Sequence, residues 1–194
     1  MGRPKQFDRD AALRKAIPVF WEKGFAAASA DDLTSAMGIG RQSLYDTFGD
    51  KRRLYLEALG RYNTDSVGDL LERLIRAASP LAGIEAALRS VAHQPPELAR
   101  LGCMGINAIC EFGNADGEVS ALRATSGARL DAGLQASVRA GQAAGEIGSD
   151  LDPRAAARFI GAAYAGLKVQ AKAGAPAAML DDVVALTVRA LKAP

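Results

Sequence analysis

The sequence predicts an all-α protein, and three observations carry that expectation. Ala, Leu, Arg and Glu dominate and recur at helical spacing, the breakers are isolated Gly and Pro residues, and no strand-length run alternates Val, Ile, Thr or Tyr with polar residues. With 194 residues, 49% of them hydrophobic and 24% charged, the chain can bury a real core. The expected division is a small module over 1–50 and a larger helical body over 51–194.

The first helix is expected from about Asp8 to Lys23, with Ala12, Ala16, Val19 and Phe20 on one face and Gly24 closing it. Pro18 lies inside it and predicts a kink, because proline removes a helical hydrogen bond. In "SADDLTSAMGI", Ser29 is an N-cap with Asp32 three residues on, close to a capping box. Leu33, Ala36 and Met37 give this short helix its apolar face, and Gly38 ends it.

A second short helix follows over Arg41 to Thr47, with Leu44 and Phe48 pointing inward at i and i+4. Its remaining face holds Arg41, Gln42, Ser43, Tyr45, Asp46 and Thr47. Two short helices joined by a glycine-containing tight turn are the helix-turn-helix pattern, whose second helix enters the DNA major groove. That explains so polar a face on so short a helix.

A long helix starts at Asp50, which caps it, and runs to about Ala78. Ser79 and Pro80 open another over about 80–92, and "HQPPELARLG" reads as a loop. Further helices are expected over Cys103 to Phe112, Asp116 to Gly145, Pro153 to Ala173 and Pro176 to Leu191.

Residues 1–62 hold 11 Lys and Arg against 8 Asp and Glu, while 63–194 hold 13 against 14, so the positive excess falls in the segment with the polar helix. There is no run of 18 apolar residues and no secretory-type apolar stretch at the start, so a cytoplasmic protein is expected. Cys103 and Cys110 make neither a disulfide framework nor a zinc pair, and the single histidine, His93, cannot build a metal site alone. Dinucleotide, phosphate-loop and nucleophile-elbow signatures are lacking. The reading is of a non-enzyme that needs no cofactor or metal.

The stretch "AIPVFWEKGFAAASADDLTSAMGIGRQSLYDTFGDKRRLY" resembles the N-terminal signature of the tetracycline-repressor family of transcriptional regulators. The resemblance implies an all-α fold: an N-terminal three-helix helix-turn-helix DNA-binding domain plus a C-terminal helical ligand-binding and dimerisation domain. It also implies a homodimer on a palindromic operator, released when an effector acts on the body. Carried over by position, Arg41 and Gln42 have the reach for base edges. Ser43, Tyr45, Thr47 and Lys51 suit phosphates, Ser29 lies at a helix start that faces one, and Arg3 and Lys5 in "GRPK" suit backbone or minor-groove contacts.

The body is similar to a subgroup related to the N-ethylmaleimide reductase repressor, through "LGCMGINAICE", a long helix ending "AGQAAGEI", and "AYAGLKVQAKAG". That similarity implies that Cys103 senses electrophiles or oxidants with Lys172 as its partner. Cys103 is placed beside a helix N-terminus, a setting that favours thiolates. Cys110 lies roughly 10 Å further along the same helix, too far for a disulfide within it. Asn107 and Glu111 are polar residues of an otherwise apolar helix, placed either to orient an effector or on a solvated face. The alternative is a regulator that answers an apolar small molecule, with Cys103 merely packed; activation instead of repression is also open. The last two helices are expected to form the dimer face, through Ala157, Ile160, Gly161, Tyr164 and Leu167, then Met179, Val183, Leu186, Thr187 and Ala190.

Overall fold

The computed structural model describes residues 7–193, and among them it contains ten α-helices and no strand beyond an isolated bridge between Ile147 and Lys192. The chain forms two compact units.

The first unit takes the described residues through Asn63 together with Met104–Leu122. It comprises α1 (Arg9–Ala27), α2 (Ala30–Met37), α3 (Arg41–Phe48), the first part of α4 (Lys51–Arg76), α7 (Met104–Phe112) and the start of α8 (Gly117–Ala143). Asp8 caps α1 by accepting from the Ala11 N–H at 3.0 Å. The break in α1 falls at Gly24, at φ 74° and ψ 179°, and not at Pro18. Pro18 is on the exposed side of the helix, where the carbonyl it leaves without a partner faces water, so the backbone keeps helical angles there. Leu33, Leu44, Phe48, Phe20, Leu54 and Met104 are all buried at the centre of this unit. Edge-on packing of Phe20 and Phe25 against Tyr55, at centroid distances of 5.1 and 5.2 Å, fills the space beside them.

The second unit takes Thr64–Cys103 and Arg123 onward, and so holds the rest of α4 and α8, α5 (Pro80–Ala92), α6 (Pro96–Ala99), α9 (Pro153–Lys172) and α10 (Ala177–Leu191). The expected loop "HQPPELARLG" contains the single turn of α6, for which Pro95 and Pro96 supply pre-set φ at its start. Ser79 and Asp152 cap α5 and α9. Gly83 lets α5 approach α4 closely: a Cβ there would stand 2.6 Å from the Leu74 carbonyl oxygen. The core joins Leu70 and Leu74 of α4 to Ile84 and Leu88 of α5, Val138 of α8, and the inner faces of α9 and α10.

The division differs from one at residue 50. The first half of α4 and the distant segment α7 pack with the N-terminal helices, which no local signal announces. The expected dimer residues also divide. Ala157, Ile160, Leu167 and Thr187 are buried inside the second unit, and Tyr164 packs partly against its core. Met179, Val183, Leu186 and Ala190 are exposed. Both helices carry two apolar stripes, and helical spacing alone does not say which one the chain itself covers.

Candidate nucleic-acid interface

The α2–α3 pair is built from local signals. Ser29 Oγ accepts from the Asp32 N–H at 3.0 Å, and Asp32 Oδ2 accepts from the Ser29 N–H at 3.0 Å, completing the capping box. Lys23 donates to Asp32 at 2.6 Å. That ammonium, followed by the Ser29 backbone, holds the Asp32 carboxyl well below its usual range. Gly38 closes α2 in the left-handed conformation, at φ 71°, and its N–H reaches the Thr34 carbonyl. The chain then turns through Gly40, which caps α3 without a side-chain bond, so no side chain occupies the first-turn N–H groups of α3.

Leu44 and Phe48 are buried and seat α3 on the unit. An eight-residue helix is not stable alone, so this burial is what holds it. Arg41, Gln42, Tyr45 and Asp46 are exposed on its outer side, with Ser43 and Thr47 half-buried. Tyr45, at 44% exposed, is among the few large apolar side chains left open. Arg41 donates from Nη2 to Asp31 at 2.8 Å and from Nε to the same oxygen at 3.2 Å, which raises its pKa further. Gln42 Nε2 donates to Asp46 Oδ1 at 2.8 Å.

Two of the residues expected at DNA, Ser29 and Lys51, have partners within the unit. The Ser29 hydroxyl both accepts from and donates to Asp32, so its side chain serves the cap. Lys51 is half-buried, its ammonium 3.2 Å from the Ala26 carbonyl and 4.7 Å above the Phe25 ring, a cation held within the unit. Arg3 and Lys5 lie outside the described residues. Sequence reasoning missed Asp31 and the pairing role of Asp46. The i, i+4 spacing of Gln42 and Asp46 was the available signal for the second.

The residues expected to sense an effector fall in different units. Cys103 is half-buried in the second unit, directly before the first residue of α7. Lys172, exposed at the end of α9, lays its stem over the neighbouring residue: a Cβ on Gly102, whose φ is 69°, would meet Lys172 Cδ at 2.7 Å. Asn107 and Glu111 belong to the first unit. Asn107 is half-buried. Glu111 is engaged by the backbone: its two oxygens accept from the Phe25 and Ala26 N–H groups at 3.0 and 2.8 Å. The geometric cause is Gly24: the chain restarts a helical turn after it, and those N–H groups have no intrahelical acceptor. Cys110 is exposed.

Two spaces in the second unit bear on small molecules. The gap among Leu70, Ile84, Leu88, Leu134 and Ile160 measures about 10 Å³, room for a single water. An open groove of about 440 Å³ is lined by Leu71, Leu74, Ile75, Pro80, Gly133 and Ala140, with Ser79 and Ser137 as its hydroxyls. No helix of the described residues is long and apolar enough to cross a membrane.

Two family models match the chain: bacterial regulatory proteins of the tetR family over residues 12–58, and the tetracyclin repressor-like C-terminal domain over residues 72–186. The helix-turn-helix-type transcriptional repressor ComR of Escherichia coli strain K12 is 31% identical, over 97% of this chain and 90% of its own. A cysteine mutant of the regulator CifR, solved with 26-base-pair double-strand operator DNA, is 34% identical with a TM-score of 0.79, over 97% of this chain and 99% of its own. Reduced NemR of E. coli has a TM-score of 0.84 over 96% of this chain and 98% of its own, and at 18% identity the likeness is one of fold alone.

Proposed function

The chain belongs to the tetracycline-repressor family of transcriptional regulators, and from that premise we propose that it is a homodimeric repressor which reads a palindromic operator with α3 and releases it when Cys103 is oxidised or alkylated. Its matched families and relatives are regulators and not enzymes.

The observation that carries the DNA-reading part is α3 itself, whose buried Leu44 and Phe48 leave Arg41, Gln42 and Tyr45 on an open face. Arg41 suits guanine and Gln42 adenine, while Ser43, Tyr45 and Thr47 suit phosphates. The CifR complex supports this reading, since that relative was solved on operator DNA. A cytoplasmic location goes with it.

For the release step, Lys172 packed over Gly102 supports a sensor role for Cys103. With a maleimide, the thiolate sulfur adds to the C=C bond and the neighbouring carbon takes a proton. With hypochlorous acid, the sulfur takes chlorine and hydroxide leaves. The neutral Lys172 amine then displaces chloride with loss of a proton, leaving an S–N bond. The groove of about 440 Å³ favours a second reading, release by an apolar small molecule, because its size lies within the range of ligand pockets.

A gel-shift titration on DNA from upstream of the protein's own gene tests both parts. Arg41→Ala with Tyr45→Ala should abolish retention while helicity stays intact; unchanged retention would refute α3 as the reading helix. N-ethylmaleimide or hypochlorite should release the wild type and leave Cys103→Ser bound. Release of Cys103→Ser by either reagent would remove this thiol from the mechanism.

A further inference from the structure

We propose that Asp31 and Asp46 are positioning residues for operator recognition: each holds one base-reading side chain, Arg41 and Gln42 respectively, in a single orientation and so decides which base it accepts. The inference rests on α3 as the recognition helix.

The argument starts from an oddity of charge. A carboxylate on a DNA-facing surface repels phosphates and weakens binding to every sequence alike. Two such carboxylates nonetheless stand here, and each is hydrogen-bonded to a long polar side chain of α3. Neither supports the core: Arg41 and Asp31 are 61% and 78% exposed, and Asp46 is exposed as well. Their effect therefore falls on the side chains they hold.

For Gln42 the consequence is one of donors and acceptors. An ionised carboxylate has no proton to give, so Asp46 accepts only the NH₂ end of the amide, and a flipped amide would set two acceptors against each other. One N–H of Gln42 is then committed to Asp46 Oδ1 at 2.8 Å. What remains is one N–H donor and one carbonyl acceptor. That pair matches adenine, which offers the N7 acceptor and the N6 donor in the major groove. Guanine offers two acceptors, N7 and O6, and calls for two donors, which the tethered amide no longer has. Released from Asp46, Gln42 regains its second N–H and the freedom to flip, so its preference for adenine over guanine should fall.

For Arg41 the same logic acts from the neighbouring helix. Asp31, in the first turn of α2, takes Nε and Nη2 on one oxygen. The guanidinium keeps three N–H groups, including both on Nη1, enough for the two acceptors of guanine. Because the tether comes from α2, it holds the fork against rotation about the long side chain.

The test uses the full chain and fluorescence anisotropy at fixed salt on the upstream operator duplex, its single-base variants, and a non-operator duplex. Gln42→Ala should flatten the preference at one adenine position. Asp46→Ala should lower the adenine-over-guanine preference at that same position about three- to tenfold, a part of what a full bidentate pair provides, while tightening binding to the non-operator duplex. Asp46→Asn, whose amide can accept from or donate to Gln42 and so no longer fixes which end of the Gln42 amide faces it, should tighten non-operator binding and lower the adenine preference as well, though less than Asp46→Ala. Asp31→Ala should loosen guanine preference at the position that Arg41→Ala identifies. Uniformly tighter binding by Asp31→Ala and Asp46→Ala, with base preferences unchanged, would overturn the positioning role and leave only a charge effect. If Gln42→Ala and Arg41→Ala alter no base preference, the reading of α3 itself falls and this inference with it. Thermal melts followed by circular dichroism should be unchanged throughout, since all four side chains are exposed.

Discussion

Glu111 shows how a single side chain can mislead when only its neighbours in sequence are known. Within "MGINAICEF" it is the charged residue of an apolar helix, which suggests a ligand or a solvated face. Its carboxylate instead caps a turn 85 and 86 residues earlier in the chain. Glu111→Ala removes the acceptor of two N–H groups that water can reach and should lower stability by about 0.5–1.5 kcal/mol in urea unfolding, with Glu111→Gln between the two. An unchanged midpoint would mean that water replaces the carboxylate at no loss. Ser29 is the contrasting case: its partner is three residues away, so its cap was readable from "SADD" alone.

At the scale of elements, the start of α8 is held by one residue with two tasks. Asp116 accepts from the Val119 N–H at 3.1 Å, capping the helix, and binds Arg52 of α4 at 2.7 Å. Glu118 adds a second carboxylate to the same guanidinium at 2.7 Å. Chiefly through Arg52, and then through the Val119 N–H, the Asp116 carboxyl titrates near 2 instead of 3.8. A pKa lowered on folding gives stability that is fully present above 3.8 and is lost as pH falls through 2. Acid unfolding between those values should be steeper for the wild type than for Asp116→Asn, measured by circular dichroism against pH; equal slopes would show that the pair contributes nothing to folding. The helices themselves were readable because periodicity and caps are local. The clamp was not, because nothing near Arg52 or Asp116 names the other.

For the molecule as a whole, the open question is what covers the outer faces of α9 and α10. Phe159 and Val169 are 47% and 50% exposed, Met179 and Leu186 48% and 57%, and Ala162, Gly166, Val183 and Ala190 complete two stripes of small and medium side chains. In a homodimer, a two-fold pairing of these stripes buries them. Phe159→Glu with Leu186→Glu should therefore sediment as a monomer with native helicity. It should bind the operator about a hundredfold or more weakly, because linked half-site binding is lost. A variant that stays dimeric would move the interface elsewhere.

The all-α class, the helix-turn-helix and the face of α3 were determined by the sequence alone, through signals that span a turn or two of helix: the Ser29 cap, the Gly38 turn, and Leu44 with Phe48 at i and i+4. Tertiary structure decided the rest. It chose the inner stripe of α9 and α10, brought α7 to the N-terminal unit, gave Glu111 to the backbone after Gly24, and laid Lys172 over Gly102. The physical reason is the same in each instance. Hydrogen-bond and burial preferences fix what a side chain needs, while its partner, when far along the chain, is selected only by how the helices pack.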